Sequence, residues 1–135
     1  MIGVKAVLVG VTVHEVDSTE TAFRVAATMA FQTALQDADP QILEPIMRVE
    51  VTVAEEYTGG VVGDLSSRRG NVVSMETRGR IRVIDSRVPL ASMFGYATDL
   101  RSVTQGRSAF TMHFEQYAAV PVSVARSIVA RVRGE

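Results

Sequence analysis

The feature that most constrains the fold of this 135-residue chain is the order of its periodic segments after residue 46. Met47, Val49, Val51 and Val53 alternate with Arg48, Glu50 and Thr52, the pattern of a strand with one buried face. Glu55 to Ser67 follows as a helix with Tyr57, Val61, Val62 and Leu65 on one side. Gly59, Gly60 and Gly63 lower its propensity and predict close backbone approach, and Gly70 predicts its stop after Arg68 and Arg69. Asn71 to Glu76 and Arg80 to Val88 read as strands of a hairpin through Thr77-Arg78-Gly79. Pro89 opens a helix to about Thr104, and Ser108 to Tyr117 alternates again through Phe110, Met112 and Phe114. Pro121 starts a terminal helix with Val124, Ile128 and Val132 inward. The order β-α-β-β-α-β plus a helix predicts an α+β, ferredoxin-like sandwich over residues 46–135.

Residues 1–45 predict something less complete. Val4 to Val13 is valine-rich and reads as a buried strand, ending in a polar tip at His14-Glu15-Val16-Asp17. Ser18 is placed to cap a helix from Thr19 to about Asp37, with Glu20 in its first turn. Small alanines alternate there with Phe23 and Phe31, which predicts close packing on a sheet. Asp39-Pro40 ends the helix and Pro45 interrupts the extended segment that follows. One strand and one helix cannot close a core, so their apolar faces must meet something else, and self-association through this unit stays open.

Composition narrows the function. A net charge of -1 argues against bulk attraction to nucleic acid, so such contacts must come from local basic clusters. The absence of cysteine excludes a disulfide framework and a cysteine nucleophile. No signal-peptide pattern and no membrane-length apolar run occur, which makes a soluble cytoplasmic protein the expectation. His14 and His113 lie in separate units, with no serine and carboxylate at triad spacing and no G-x-S-x-G. The phosphate-binding GxxxxGK[ST] is missing, and His-x-Glu at the tip lacks the partners of a zinc site. No catalytic, cofactor-binding or metal-binding residue is expected.

The segment Phe94 to Arg107, FGYATDLRSVTQGR, is not required by any pattern of burial. It places Arg101 and Arg107 with Thr98, Ser102, Thr104 and Gln105 around a helix end, a donor set that suits phosphate oxygens. The alternative is solvated surface, with Asp99 pairing a nearby arginine. Arg68 and Arg69 likewise read either as a cationic helix C-terminus or as phosphate contacts. His14 reads either as an exposed turn residue or as a group that stacks on or hydrogen-bonds a nucleotide.

Several of these stretches resemble a known family. His14-Glu15-Val16-Asp17-Ser18, Ile42 to Val51, Gly63-Asp64-Leu65, Ser67-Arg68-Arg69-Gly70, the segment through Gly106-Arg107, Tyr117 and Val120-Pro121 are similar to the C-terminal part of bacterial elongation factor G. The resemblance implies the end of the family's domain IV over 1–45 and its ferredoxin-like domain V over 46–135. It implies a C-terminal fragment of a ribosomal translocase that recognises rather than catalyses. GTP and magnesium would belong to a G domain not contained in this chain. His14, Glu15 and Asp17 match a tip facing tRNA and mRNA at the decoding centre. Arg101, Ser102, Gln105 and Arg107, with Arg68 and Arg69, match a surface facing ribosomal RNA. The implied partners are the sarcin–ricin loop, the stalk base and ribosomal protein L-eleven. The sequence departs from the family at Gly10-Val11-Thr12-Val13 before the tip, and at Ser108 where glycine is usual. A stand-alone ribosome- or RNA-binding module is the alternative, and an enzyme such as a small phosphatase on the same scaffold ranks last.

Overall fold

A computed structural model describes residues 1–16 and 18–135. The chain forms two compact units, Met1–Gln41 and Ile42–Glu135. The first holds one helix, α1 (Glu20–Asp37). The second runs β1 (Leu43–Ala54), α2 (Thr58–Ser67), β2 (Asn71–Arg78), β3 (Ile81–Pro89), α3 (Tyr96–Thr104), β4 (Ser108–Ala119) and α4 (Val122–Arg133).

In the first unit the expected strand at Val4 to Val13 does not form. A strand exists only where a neighbouring strand takes up its N–H and C=O groups, and none of the described residues of this unit does so. No residue of α1 is buried, and Phe23 and Phe31 remain about two-fifths exposed, at 41% and 39%. The cap is Thr19 rather than Ser18, since the Thr19 side chain accepts the Ala22 N–H at 3.1 Å. Ser18 instead closes the preceding turn, its hydroxyl accepting the His14 N–H at 2.7 Å.

The second unit is an α+β fold on one four-stranded sheet in the order β2-β3-β1-β4, with every neighbouring pair antiparallel. Each helical crossover skips one strand, which is the split βαβ arrangement predicted from the alternating segments. β1 begins at Leu43, earlier than the alternation from Met47 indicated. Pro45 is tolerated because it pairs only with Tyr117 of β4, while pairing with β3 starts at Ile46.

Alternation in β1 separates the two faces. Val49, Val51 and Val53 are buried with Ile84 and Val88 of β3, Val61 and Leu65 of α2, and Tyr96 and Leu100 of α3. Each such side chain contributes roughly 1.5–3 kcal/mol by leaving water. Buried Ser86 satisfies its hydroxyl by donating to the Val49 carbonyl at 3.0 Å. The opposite face carries an ion network, with Arg48 at 3.2 Å and Arg87 at 2.8 Å from Asp85, and Arg87 also paired to Glu115.

Two helix boundaries differ from expectation. Glu55–Tyr57 is a single 3-10 turn ahead of α2, and the predicted helix from Pro89 is a 3-10 turn at Leu90–Ser92 followed by α3. The break falls at Gly95, whose φ of +76° is a left-handed conformation that side chains resist. The close approach predicted from the glycines of α2 occurs at Gly60, where a Cβ would lie 2.8 Å from Val103 of α3. In α4, Val124 and Ile128 are half-buried as predicted, whereas Val132 faces solvent.

Candidate nucleic-acid interface

The position of α3 is set by Arg68, the residue that follows α2. Its guanidinium pairs with Asp64 at 3.0 Å and with Asp99, and donates to the Ser92 carbonyl at 2.7 Å. It also lies over the Tyr96 ring, 5.0 Å from the centroid. Tyr96 meets Phe110 edge-on at 5.0 Å, so one arginine ties the end of α2 to the start of α3 above the core. Burial pushes the Tyr96 phenol up to about 12, with Asp64 adding to the rise and Arg68 opposing it.

Arg69 is engaged in the same way. Its guanidinium holds Glu44 of β1 through two hydrogen bonds, at 2.9 and 2.8 Å, and Glu44 is buried. The hydrogen bond to Glu44 raises the arginine's pKa further, against the opposing effect of burial. The backbone of Arg69 takes φ +59°, and the Gly70 N–H returns to the Leu65 carbonyl at 2.8 Å, which closes α2. Both arginines at this helix end therefore serve the fold.

At the far end of α3 the picture differs. Arg101, in the last turn, is exposed and pairs with no carboxylate among the described residues. Its carbonyl accepts the N–H groups of Gln105 and Gly106, the latter at 3.0 Å, and Arg107 N–H reaches the Thr104 carbonyl at 3.0 Å. Gln105 and Gly106 both take positive φ, so the chain reverses in a fully hydrogen-bonded turn. Arg101, Ser102 and Gln105 are exposed at this end, with the Ser102 hydroxyl donating to the Thr98 carbonyl at 3.1 Å. Thr104 is not among them: it is buried, donating to the Leu100 carbonyl at 2.7 Å and contacting the Ser108 hydroxyl at 2.7 Å. Serine at position 108 thus has a local role. Arg107 is exposed and pairs with Glu56 at 3.4 Å. Asp99 pairs with Arg68 rather than with Arg101.

The electrostatics are those of side chains alone. A helix C-terminus presents carbonyls and the negative end of the dipole, so an anion here is held by the arginine charge and not by backbone N–H groups. In the first unit, His14 and Glu15 are exposed at the turn, while Asp17 lies outside the described residues. Sequence reading missed a further group. Arg126, Arg131 and Arg133 of α4 are exposed, and the helix contains no acidic residue, a signal visible in its composition. Among the described residues no group of His, Asp and Glu could hold a metal ion. No described helix is long and apolar enough to cross a membrane.

Residues 41–128 match the elongation factor G C-terminus family, and residues 1–39 match elongation factor G domain IV. A crystal structure of a protein from Thermus thermophilus is similar at 41% identity with a TM-score of 0.78, over 90% of this chain and 18% of that one. This chain thus spans less than a fifth of that relative's length. The antiparallel sheet and crossovers of the second unit are those of the ferredoxin-like domain V. The chain belongs to the elongation factor G family.

Proposed function

We propose that this chain contributes ribosome recognition to a translation elongation factor, with the end of α3 as its contact to ribosomal RNA. On this reading, Arg101, Ser102 and Gln105 meet phosphate and sugar groups near the sarcin–ricin loop, and the second unit braces at the stalk base beside protein L-eleven. The His14–Asp17 tip faces tRNA and mRNA at the decoding centre, and the working environment is the cytoplasm. GTP and magnesium act in a G domain elsewhere in such a factor. This sequence carries no phosphate-binding GxxxxGK[ST] motif.

One observation carries the proposal: Arg101 stands exposed on a hydrogen-bonded turn with no acidic partner among the described residues, while Arg68 and Arg69 are engaged by Asp64, Asp99 and Glu44. Recognition through the open sheet face, as in an RNA-recognition motif, is not supported. That face carries the Arg48–Asp85–Arg87–Glu115 network, and neither central strand, β1 nor β3, contains an aromatic residue on which a base could stack. The test is ribosome co-sedimentation of Arg101→Ala and Arg107→Ala across a salt series. Loss of a phosphate contact should flatten the dependence of log affinity on log salt by roughly 0.7–0.9 per contact. Slopes equal to that of the parent chain would remove both residues from the interface.

A further inference from the structure

Ion pairing divides the arginines of this chain unevenly. Most hold a carboxylate, as Arg48, Arg68, Arg69 and Arg87 do, but Arg80, Arg101, Arg126, Arg131 and Arg133 have none among the described residues. Three of those five lie on α4, a 12-residue helix with no acidic residue and no buried residue. At 3.6 residues per turn, Arg126 and Arg133 share one line along the helix, about 10 Å apart. Ser123, Ser127 and Ala130 fill the arc between that line and Arg131, while Val124, Ile128 and Val132 lie on the other side. The result is a small-residue strip flanked by guanidinium groups.

A bland role explains only part of this. Arg131 and Arg133 sit in the last turn, where cations favour the helix dipole, but Arg126 is in mid-helix. The dipole engages neither the fork of donors nor the exposed tips. The match to the elongation factor G C-terminus ends at residue 128, so Arg131 and Arg133 lie beyond the matched stretch.

We infer that α4 is a second RNA-backbone contact, in which Arg126 and Arg133 reach phosphates of one strand and Arg131, about 140° around the helix, reaches the same backbone from beyond the small-residue strip. The choice of RNA as occupant rests on the ribosomal reading above, together with the charge complementarity of an acid-free arginine face. An anionic lipid surface is the less fitting partner. The exposed apolar groups of α4 are valines at 122, 129 and 132, too short for the deep apolar face that membrane-surface helices present, and no aromatic accompanies them.

The experiment uses the whole chain with a fluorescent oligouridylate, followed by anisotropy over a salt series. Arg126→Ala, Arg131→Ala and Arg133→Ala together should lower the slope of log affinity against log salt by roughly 2, at about 0.7 per phosphate on single strands. The corresponding triple lysine variant should keep most of the slope. Alanine favours the helix, and circular dichroism of the triple variant verifies that it persists. An unchanged slope in the folded triple alanine variant overturns the inference. If Arg101→Ala lowers ribosome binding while the triple variant does not, the ribosomal reading stands and α4 alone is excluded. If the triple variant alone matters, α4 stands and the α3 edge falls. Tighter binding to phosphatidylserine vesicles than to the oligouridylate would overturn the assignment to RNA.

Discussion

Two helix ends in the second unit look alike in sequence and behave as opposites. Ser66-Ser67-Arg68-Arg69-Gly70 closes α2, and Arg101-Ser102-Val103-Thr104-Gln105-Gly106-Arg107 closes α3. Each combines arginines, hydroxyls and a glycine, and each ends with a backbone N–H returning to a carbonyl five residues earlier. At the first end the guanidiniums are held by Asp64, Asp99 and Glu44. At the second, Arg101 has no such partner among the described residues and Arg107 has an exposed contact to Glu56. Cationic helix ends are therefore not interchangeable evidence of a binding surface. What separates structure from recognition is whether distant carboxylates arrive to neutralise the charge.

The largest expected effect breaks the first end. Arg68→Ala leaves Asp64 without its partner, frees the Ser92 carbonyl and uncovers the Tyr96 ring. Removing one member of a mostly buried ion pair costs about 3–5 kcal/mol, and solvent at Asp99, whose side chain is 55% exposed, brings the expectation to about 3 kcal/mol. Urea unfolding should read this as a shifted midpoint with an unchanged slope. A shift below about 1 kcal/mol would mean that Arg68 does not hold α3 in place.

A middle-sized effect asks whether internal pairing, rather than location at a helix end, makes an arginine structural. On the open face of the sheet, burial raises the Asp85 pKa, but hydrogen bonds from Arg48 and Arg87 outweigh it and hold the carboxyl below its ordinary value. A lowered folded pKa contributes stability that is fully present above the unfolded value, near 4, and is lost as pH falls through the folded one. Asp85→Asn should therefore cost roughly 1 kcal/mol at pH 7, with the exposure of Arg48 limiting it. The difference from the parent chain should close under acid. A constant gap from pH 7 down to about 2.5 would show that the charge of Asp85 contributes nothing.

Much of the fold was legible because the strands of the second unit are amphipathic and their order permits few topologies. Met47 to Val53 announces β1, and the two hydrophobic runs after Gly70 announce β2 and β3. The distinction between the two helix ends was not legible, because the deciding partners are remote in sequence. Glu44 lies 25 residues from Arg69, and Asp99 lies 31 from Arg68. Val4 to Val13 misled for a related reason. Periodicity reports which residues could line a strand, whereas strand formation needs a neighbouring chain to complete its hydrogen bonds. Arg126, Arg131 and Arg133 were not legible as a group, because the helical spacing of Val124, Ile128 and Val132 dominates the pattern of α4.

The smallest effect sharpens the second end. If Arg101 is a recognition residue, Arg101→Ala should leave stability almost untouched, since it breaks no ion pair among the described residues and its exposed side chain covers no core. The one structural loss is a cation in the last turn of α3, worth about 0.3–1 kcal/mol at low salt and less when screened. Alanine's higher helix propensity offsets part of that. At physiological salt the expected change in stability is within about 0.5 kcal/mol, alongside the weakened ribosome binding proposed above. A thermal melt decides between the two roles. A loss comparable to that of Arg68→Ala would make Arg101 a structural residue like its counterpart after α2, and the contrast between the helix ends would disappear.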